Sequence, residues 1–213
     1  MKHLNWLLLG MLCLACNGMA LAQMVQPGGK EGDVPTTATK PGTASGDQAL
    51  SAQKEQRALQ ILLKALEKEV VSAAEAMPAD KYGFAPSEGE FTGVRTFGQQ
   101  VKHLAATNYI LAAAALGEEP PADAGDELGP ESVRTKAEIF DYLNGSFSRL
   151  SQAIDAIGNT QIPVKPSPIS PLSATSVTRL ALIVEAMVHM FDHYGQMVEY
   201  LRMNGVVPPA SRP

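Results

Sequence analysis

Residues 175–203, TSVTRLALIVEAMVHMFDHYGQMVEYLRM, decide how this chain folds. Leu180, Val184, Met187, Phe191, Val198 and Leu201 recur at the three-, four- and seven-residue spacings of one helical face. Asn204-Gly205 ends the pattern, and Pro208-Pro209 bars its return. Beside the apolar stripe run Glu185, His189, His193 and Gln196. Two imidazoles at i and i+4 stand on one side of a helix, about 6 Å apart, and can close on a single metal ion. Leu182, Ala186 and Met197 flank them, so the pair borders the buried side.

Three more segments carry the same period. The first, about 50–77, repeats Leu59, Leu62, Leu66, Val70, Ala74 and Met77; the second, about 96–116, repeats Phe97, Val101, Leu104, Leu111 and Ala115. The third, about 131–157, carries Val133, Ala137, Phe140, Phe147, Leu150, Ile154 and Ile157, with Gly158 as its stop. Period-two alternation is absent over any useful length. The expected fold is therefore all-α, a four-helix bundle. Its connections, 78–95, 117–130 and 158–174, are rich in Pro and Gly and far longer than an antiparallel helix pair needs. A linker of that length reaches about 40 Å when extended, enough to run back along a helix of about 30 Å.

The N-terminus reads as a signal peptide over residues 1–22. Lys2 supplies the positive charge, Leu4 to Leu14 the apolar core and Ala20-Leu21-Ala22 the cleavage site. The protein is thus expected to be exported, to the periplasm or beyond, with no integral membrane segment after cleavage. Leu14-Ala15-Cys16 loosely resembles a lipobox, but Cys13 stands where that motif wants leucine, so anchoring at Cys16 is the lesser reading. Residues 23–48, with Pro27, Gly28, Gly29, Gly32, Pro35 and Pro41, offer little to bury and read as a flexible tether before a domain spanning 49–209.

Both cysteines, Cys13 and Cys16, fall in the signal segment, so the mature chain has no thiolate ligand and no disulfide. A metal would have to be held by nitrogen and oxygen. Cleavage leaves 16 basic against 22 acidic residues, and no Lys/Arg cluster interrupts them. That composition argues against a nucleic-acid partner, which needs a basic footprint.

His103, on the second segment, borders its core face between Val101 and Leu104. With His3 removed, His103, His189 and His193 are all the histidines of the mature protein. Pairs at i, i+4 arise by chance in helical proteins, and a lone histidine on a core flank usually hydrogen-bonds a carbonyl. Here two helices about 9 Å apart can aim all three rings at one point. Three nitrogen ligands leave a coordination position open, as catalytic sites do. Zn or Ni is the expected divalent metal ion, since a neutral nitrogen set suits either. The metal would lower the pKa of a bound water towards ~7, or activate a bound thiol.

Neighbouring residues carry open assignments. Glu185 is a candidate catalytic base, a fourth ligand, a partner to a ligand, or a carboxylate at the bundle rim. Asp192 reads as solvated, and Gln196 as a holder of water or of a histidine N–H. Asn144 is a candidate buried polar group on the Phe140/Phe147 face; Tyr109 and Tyr142 read as core.

The run His189-Met190-Phe191-Asp192-His193-Tyr194-Gly195-Gln196, continuing to Tyr200-Leu201-Arg202 and Gly205 to Pro209, resembles the last helix of the DinB/YfiT-like superfamily. Met77 to Pro86, Val94 to Phe97 and His103-Leu104-Ala105 resemble its first loop and second helix. The resemblance covers about 50–209 and implies a divalent metal on His103, His189 and His193. It also implies an up-down-down-up bundle with the long connection between helices two and three. Tyr194 departs from the arginine many relatives carry there. Members include thiol-dependent transferases and isomerases as well as proteins without assigned activity. Export would deprive such an enzyme of cytosolic thiols. The expectation is therefore a metal-dependent, hydrolase-like enzyme on an unknown small-molecule substrate. A non-catalytic metal-binding or stress-associated bundle, working as a homodimer, is the alternative; a thiol-dependent transferase is a further one.

Overall fold

Between Pro41 and Pro78 the chain has no proline, and the first helix, α1 (Thr43–Ala76), fills that interval. It starts before residue 50, so its first turns enter the stretch read as tether; residues 23–42 lie outside the described residues. The structure, a computed structural model, describes residues 43–122, 124, 127–172 and 174–212; the segment read as a signal peptide also lies outside them. The other helices are α2 (Phe97–Leu116), α3 (Lys136–Ala156) and α4 (Arg179–Met203).

Caps set the helix starts more sharply than the apolar period does. Thr96 and Gln99 form a capping box on α2, and Thr135 and Glu138 form another on α3. The α3 cap moves that helix start from about 131 to Lys136. In α4 the Thr178 hydroxyl accepts from the Ala181 amide at 3.1 Å. Residues 177–178 instead form β2 (Val177–Thr178), paired antiparallel with β1 (Pro163–Val164) in the α3–α4 connection.

Side-chain pairings give the helix directions. Gln56 reaches the Ile154 carbonyl and Lys136 reaches Glu75 and Met77, so α1 and α3 are antiparallel. Tyr200 bonds Arg95 and Gln100 meets His193, so α2 and α4 are antiparallel too. Gly98 lies against Ile139, Asn108 against Ser146 and Arg149 against Glu118, so α2 and α3 are parallel. The chain therefore runs up-down-down-up, with α1 packed on α3 and α4, and α2 packed on the same two. A parallel α2–α3 pair requires the connecting residues 117–135 to travel back along the helices.

The core is continuous through all four helices, with Leu66, Val70, Phe97, Leu104, Leu143, Phe147, Leu182 and Met190 at its centre. Most of the apolar repeat is buried as read, and single positions depart from it on three helices. On α1 Leu63 is buried and Leu62 is exposed; on α3 Ile139 and Leu143 point inward while Ala137 is exposed. On α4 Ile183 and Met190 are buried, while Val184 and Phe191 face outward. Asn144 is half-buried; the buried polar pair between α2 and α3 is Asn108 and Ser146, bonded to each other at 3.2 Å. Tyr109 and Tyr142 are half-buried and stack at 5.1 Å between centroids. Among the described residues no helix is long and apolar enough to cross a membrane.

Candidate metal centre

The antiparallel α2–α4 pair brings His103, His189 and His193 together. His189 Nε2 lies 3.0 Å from His103 Nε2 and 2.9 Å from His193 Nε2. The rings meet edge to face, with centroids 4.3 to 4.9 Å apart, so nitrogens rather than ring faces converge. His103 and His193 are buried and His189 is half-buried.

The surroundings prepare these nitrogens for a cation. His103 Nδ1 donates to the Glu127 carbonyl at 2.9 Å, because a carbonyl can only accept. Its Nε2 is therefore a bare lone pair aimed at the other two rings. One ring proton cannot satisfy three nitrogens that meet at a point, whereas a metal ion can. His189 Nδ1 is buried and has no hydrogen-bond partner among the described residues. Burial, with the neighbouring rings second, pushes His189 down to about 3. Burial, reinforced by His103, pushes His193 down to about 4. Burial also lowers His103, against the opposing Glu127 carbonyl. All three rings are thus neutral near pH 7, the form a metal needs. The donor set fits a divalent ion.

Two supporting residues, Glu127 and Gln100, were not legible in the sequence, and a third, Gln196, was. Glu127, in the α2–α3 connection, has φ of 74°, a left-handed conformation unusual outside glycine. Its carboxylate lies 3.5 Å from Arg95 and 3.8 Å from His103 Nδ1. Gln100, one turn before His103 on α2, places its side-chain amide 2.8 Å from His193 Nδ1. The i, i+3 spacing from His103 is the signal that would have found it. Gln196 bonds that amide, and its own amide donates to the exposed Asp192 at 2.9 Å.

The remaining candidates lie off the nitrogen cluster. Glu185 accepts from the Ser170 hydroxyl at 2.9 Å, and burial raises its pKa. Tyr194 turns away from the site to Glu69 on α1, at 2.9 Å. A pocket of about 520 Å³ opens beside His189, walled by Thr107, Leu111, Ile169, Leu172, Val184 and Val188, with Glu185 on its lining.

The sequence model of the DinB superfamily matches residues 62–197, which contain all three histidines and the whole of α2 and α3. No curated protein matches the chain.

Proposed function

Because the chain belongs to the DinB superfamily, we propose that it is a metal-dependent enzyme that binds Zn or Ni on His103, His189 and His193 and hydrolyses a small molecule. The observation that carries this reading is the nitrogen triad beside a pocket. Among the described residues the cluster able to hold a metal is these three histidines, with no fourth His, Asp or Glu in it. Open coordination is the mark of a catalytic rather than a structural site. When bound, the ion would supply Lewis-acid activation of water or of a substrate carbonyl.

The chain's own residues have separable tasks. The Glu127 carbonyl and the Gln100 amide hold the His103 and His193 rings in place. Glu185, whose carboxyl pKa is raised by burial against the opposing Ser170 hydrogen bond, stands in the pocket wall as a proton donor or acceptor for substrate. The N-terminal sequence supports an exported location, where cytosolic thiols would be scarce; this favours hydrolysis over thiol transfer.

The test is elemental analysis of protein purified from its native compartment, followed by assays on small esters and amides. Stoichiometric Zn or Ni, lost together with turnover in His193→Ala, is the expected result. Metal that stays bound in His193→Ala would remove the site as drawn. Bound metal without turnover of any substrate would leave a metal-binding bundle.

A further inference from the structure

Thr107 is a buried residue whose hydroxyl has no hydrogen-bond partner among the described residues. It lies on α2 one turn after His103, and it lines the pocket that opens beside His189. A buried hydroxyl without a partner is disfavoured, and a native fold tolerates one where something else fills the valence. The walls around it are alkyl: Leu111 from α2, Val184 and Val188 from α4, and Ile169 and Leu172 from the α3–α4 connection. Val184 and Val188 are 42% and 63% exposed, an apolar rim that the bundle leaves uncovered.

The roof over this space is pinned. Ser170 donates to Glu185 on α4 at 2.9 Å, and its amide closes a turn on the Ser167 carbonyl at 3.0 Å, so the turn at 167–170 is held to α4 through Ser170. The concavity has the size of a small-molecule site and its composition, mostly apolar with a few placed polar groups. A second protein surface would meet the rim but would not reach Thr107, which is buried on α2 one turn from His103.

We propose that this pocket seats the substrate, which is a small acyl compound. Its alkyl or aryl body lies between Val184, Val188 and Leu172, and a polar atom beside its carbonyl bonds the Thr107 hydroxyl. The inference rests on the metal-centre reading above. Thr107 is then a positioning residue that sets where an acyl group stands relative to His103 and His189. The length of the apolar body, rather than charge, selects the substrate.

The experiment is calorimetric titration of zinc-loaded full-length protein with alkyl hydroxamates from acetyl to octanoyl, which carry a metal-binding head on a chain of chosen length. Affinity is expected to rise about fourfold per added CH2 until the pocket is full. Val188→Asp should abolish the rise with chain length. Thr107→Val keeps the shape and removes the hydroxyl; it should weaken every member about two- to tenfold with zinc content and thermal midpoint preserved. A flat series, or a Thr107→Val protein that binds like the parent, overturns the proposal. So does a dimer that Val188→Asp dissociates, which would assign the rim to a second copy. Failure of the metal reading looks different: zinc is not retained and acetohydroxamate gives no heat. The pocket is then read by 1-hexanol and NMR of the metal-free protein; shifts of the Val184 methyls that Val188→Asp suppresses uphold the apolar seat, and their absence overturns it.

Discussion

His103 donates from Nδ1 to the backbone carbonyl of Glu127 at 2.9 Å, and Glu127 holds that carbonyl in place with a left-handed backbone. The bond joins a metal-ligand candidate on α2 to the connection that must retrace the parallel α2–α3 pair. It fixes which nitrogen of His103 faces the other rings.

Glu127→Gly should keep this bond, because glycine adopts a φ of 74° without strain, and stability should change by no more than about 1 kcal/mol. Glu127→Pro locks φ near −65° and should swing the carbonyl away. Zinc affinity, measured by competition with a chromophoric chelator, should then fall about 10- to 100-fold. Equal affinities in the two variants would show that the carbonyl does not orient His103.

Acid should weaken the metal-free protein through the same rings. An unfolded histidine titrates near 6.5, whereas His189 and His193 in the fold titrate near 3 and 4. Between those values the unfolded chain binds more protons, so stability rises with pH across the window. It is present in full above about 6.5 and is lost as pH falls towards the folded values. Urea midpoints measured from pH 8 to pH 4 should decline below 6.5, and His189→Leu should flatten the decline. Glu138, held below its ordinary 4.5 first by the Thr135 amide and then by that of Arg134, adds its own loss only at lower pH.

Gly145 reverses the usual preference for alanine in a helix. A Cβ there would overlap the Tyr109 hydroxyl, which α2 presses against α3. In an open helix Gly→Ala stabilises by roughly 1 kcal/mol; Gly145→Ala should instead destabilise by about 1–3 kcal/mol. Adding Tyr109→Phe should recover part of the loss. Thermal melts of the three proteins decide it, and a stabilised Gly145→Ala would mean the two helices sit further apart.

Leu62 and Leu63 separate the register of α1. Leu63→Ala should cost about 2–5 kcal/mol and Leu62→Ala about 0.5 kcal/mol or less, because Leu63 is 2% exposed and Leu62 is 53% exposed. Chemical denaturation of both variants reads the difference directly.

This register marks the boundary of what the sequence makes legible. Four helices, their directions and the histidine triad follow from spacing and family resemblance, since a long 3.6-residue repeat and an i, i+4 pair leave few alternatives. The inward face follows at most positions, such as Leu66, Val70, Phe97, Leu104, Phe147 and Met187, and fails where apolar residues are adjacent. Ile61, Leu62 and Leu63 are consecutive, as are Ile183 and Val184, so several apolar stripes satisfy the period and only packing chooses among them. Of the repeat's exposed members on α4, Val184 and Phe191, Val184 walls the pocket. Glu127 was illegible for another reason: its contribution is a carbonyl, which every residue carries, set by a loop conformation with no periodic signal.

The diagonal placement of α1 against α2, and of α3 against α4, has a consequence for how the centre comes into being. His103 meets His189 across 86 residues and Gln100 meets His193 across 93, with α3 and both long connections in between. Contacts between such distant parts of a chain close late, after local structure has formed. A metal ion can therefore find only the His189–His193 pair early, and the third ligand arrives with the tertiary fold. Occupancy should report completion of the whole bundle, and any core variant that loosens the fold should lower metal content without touching a ligand.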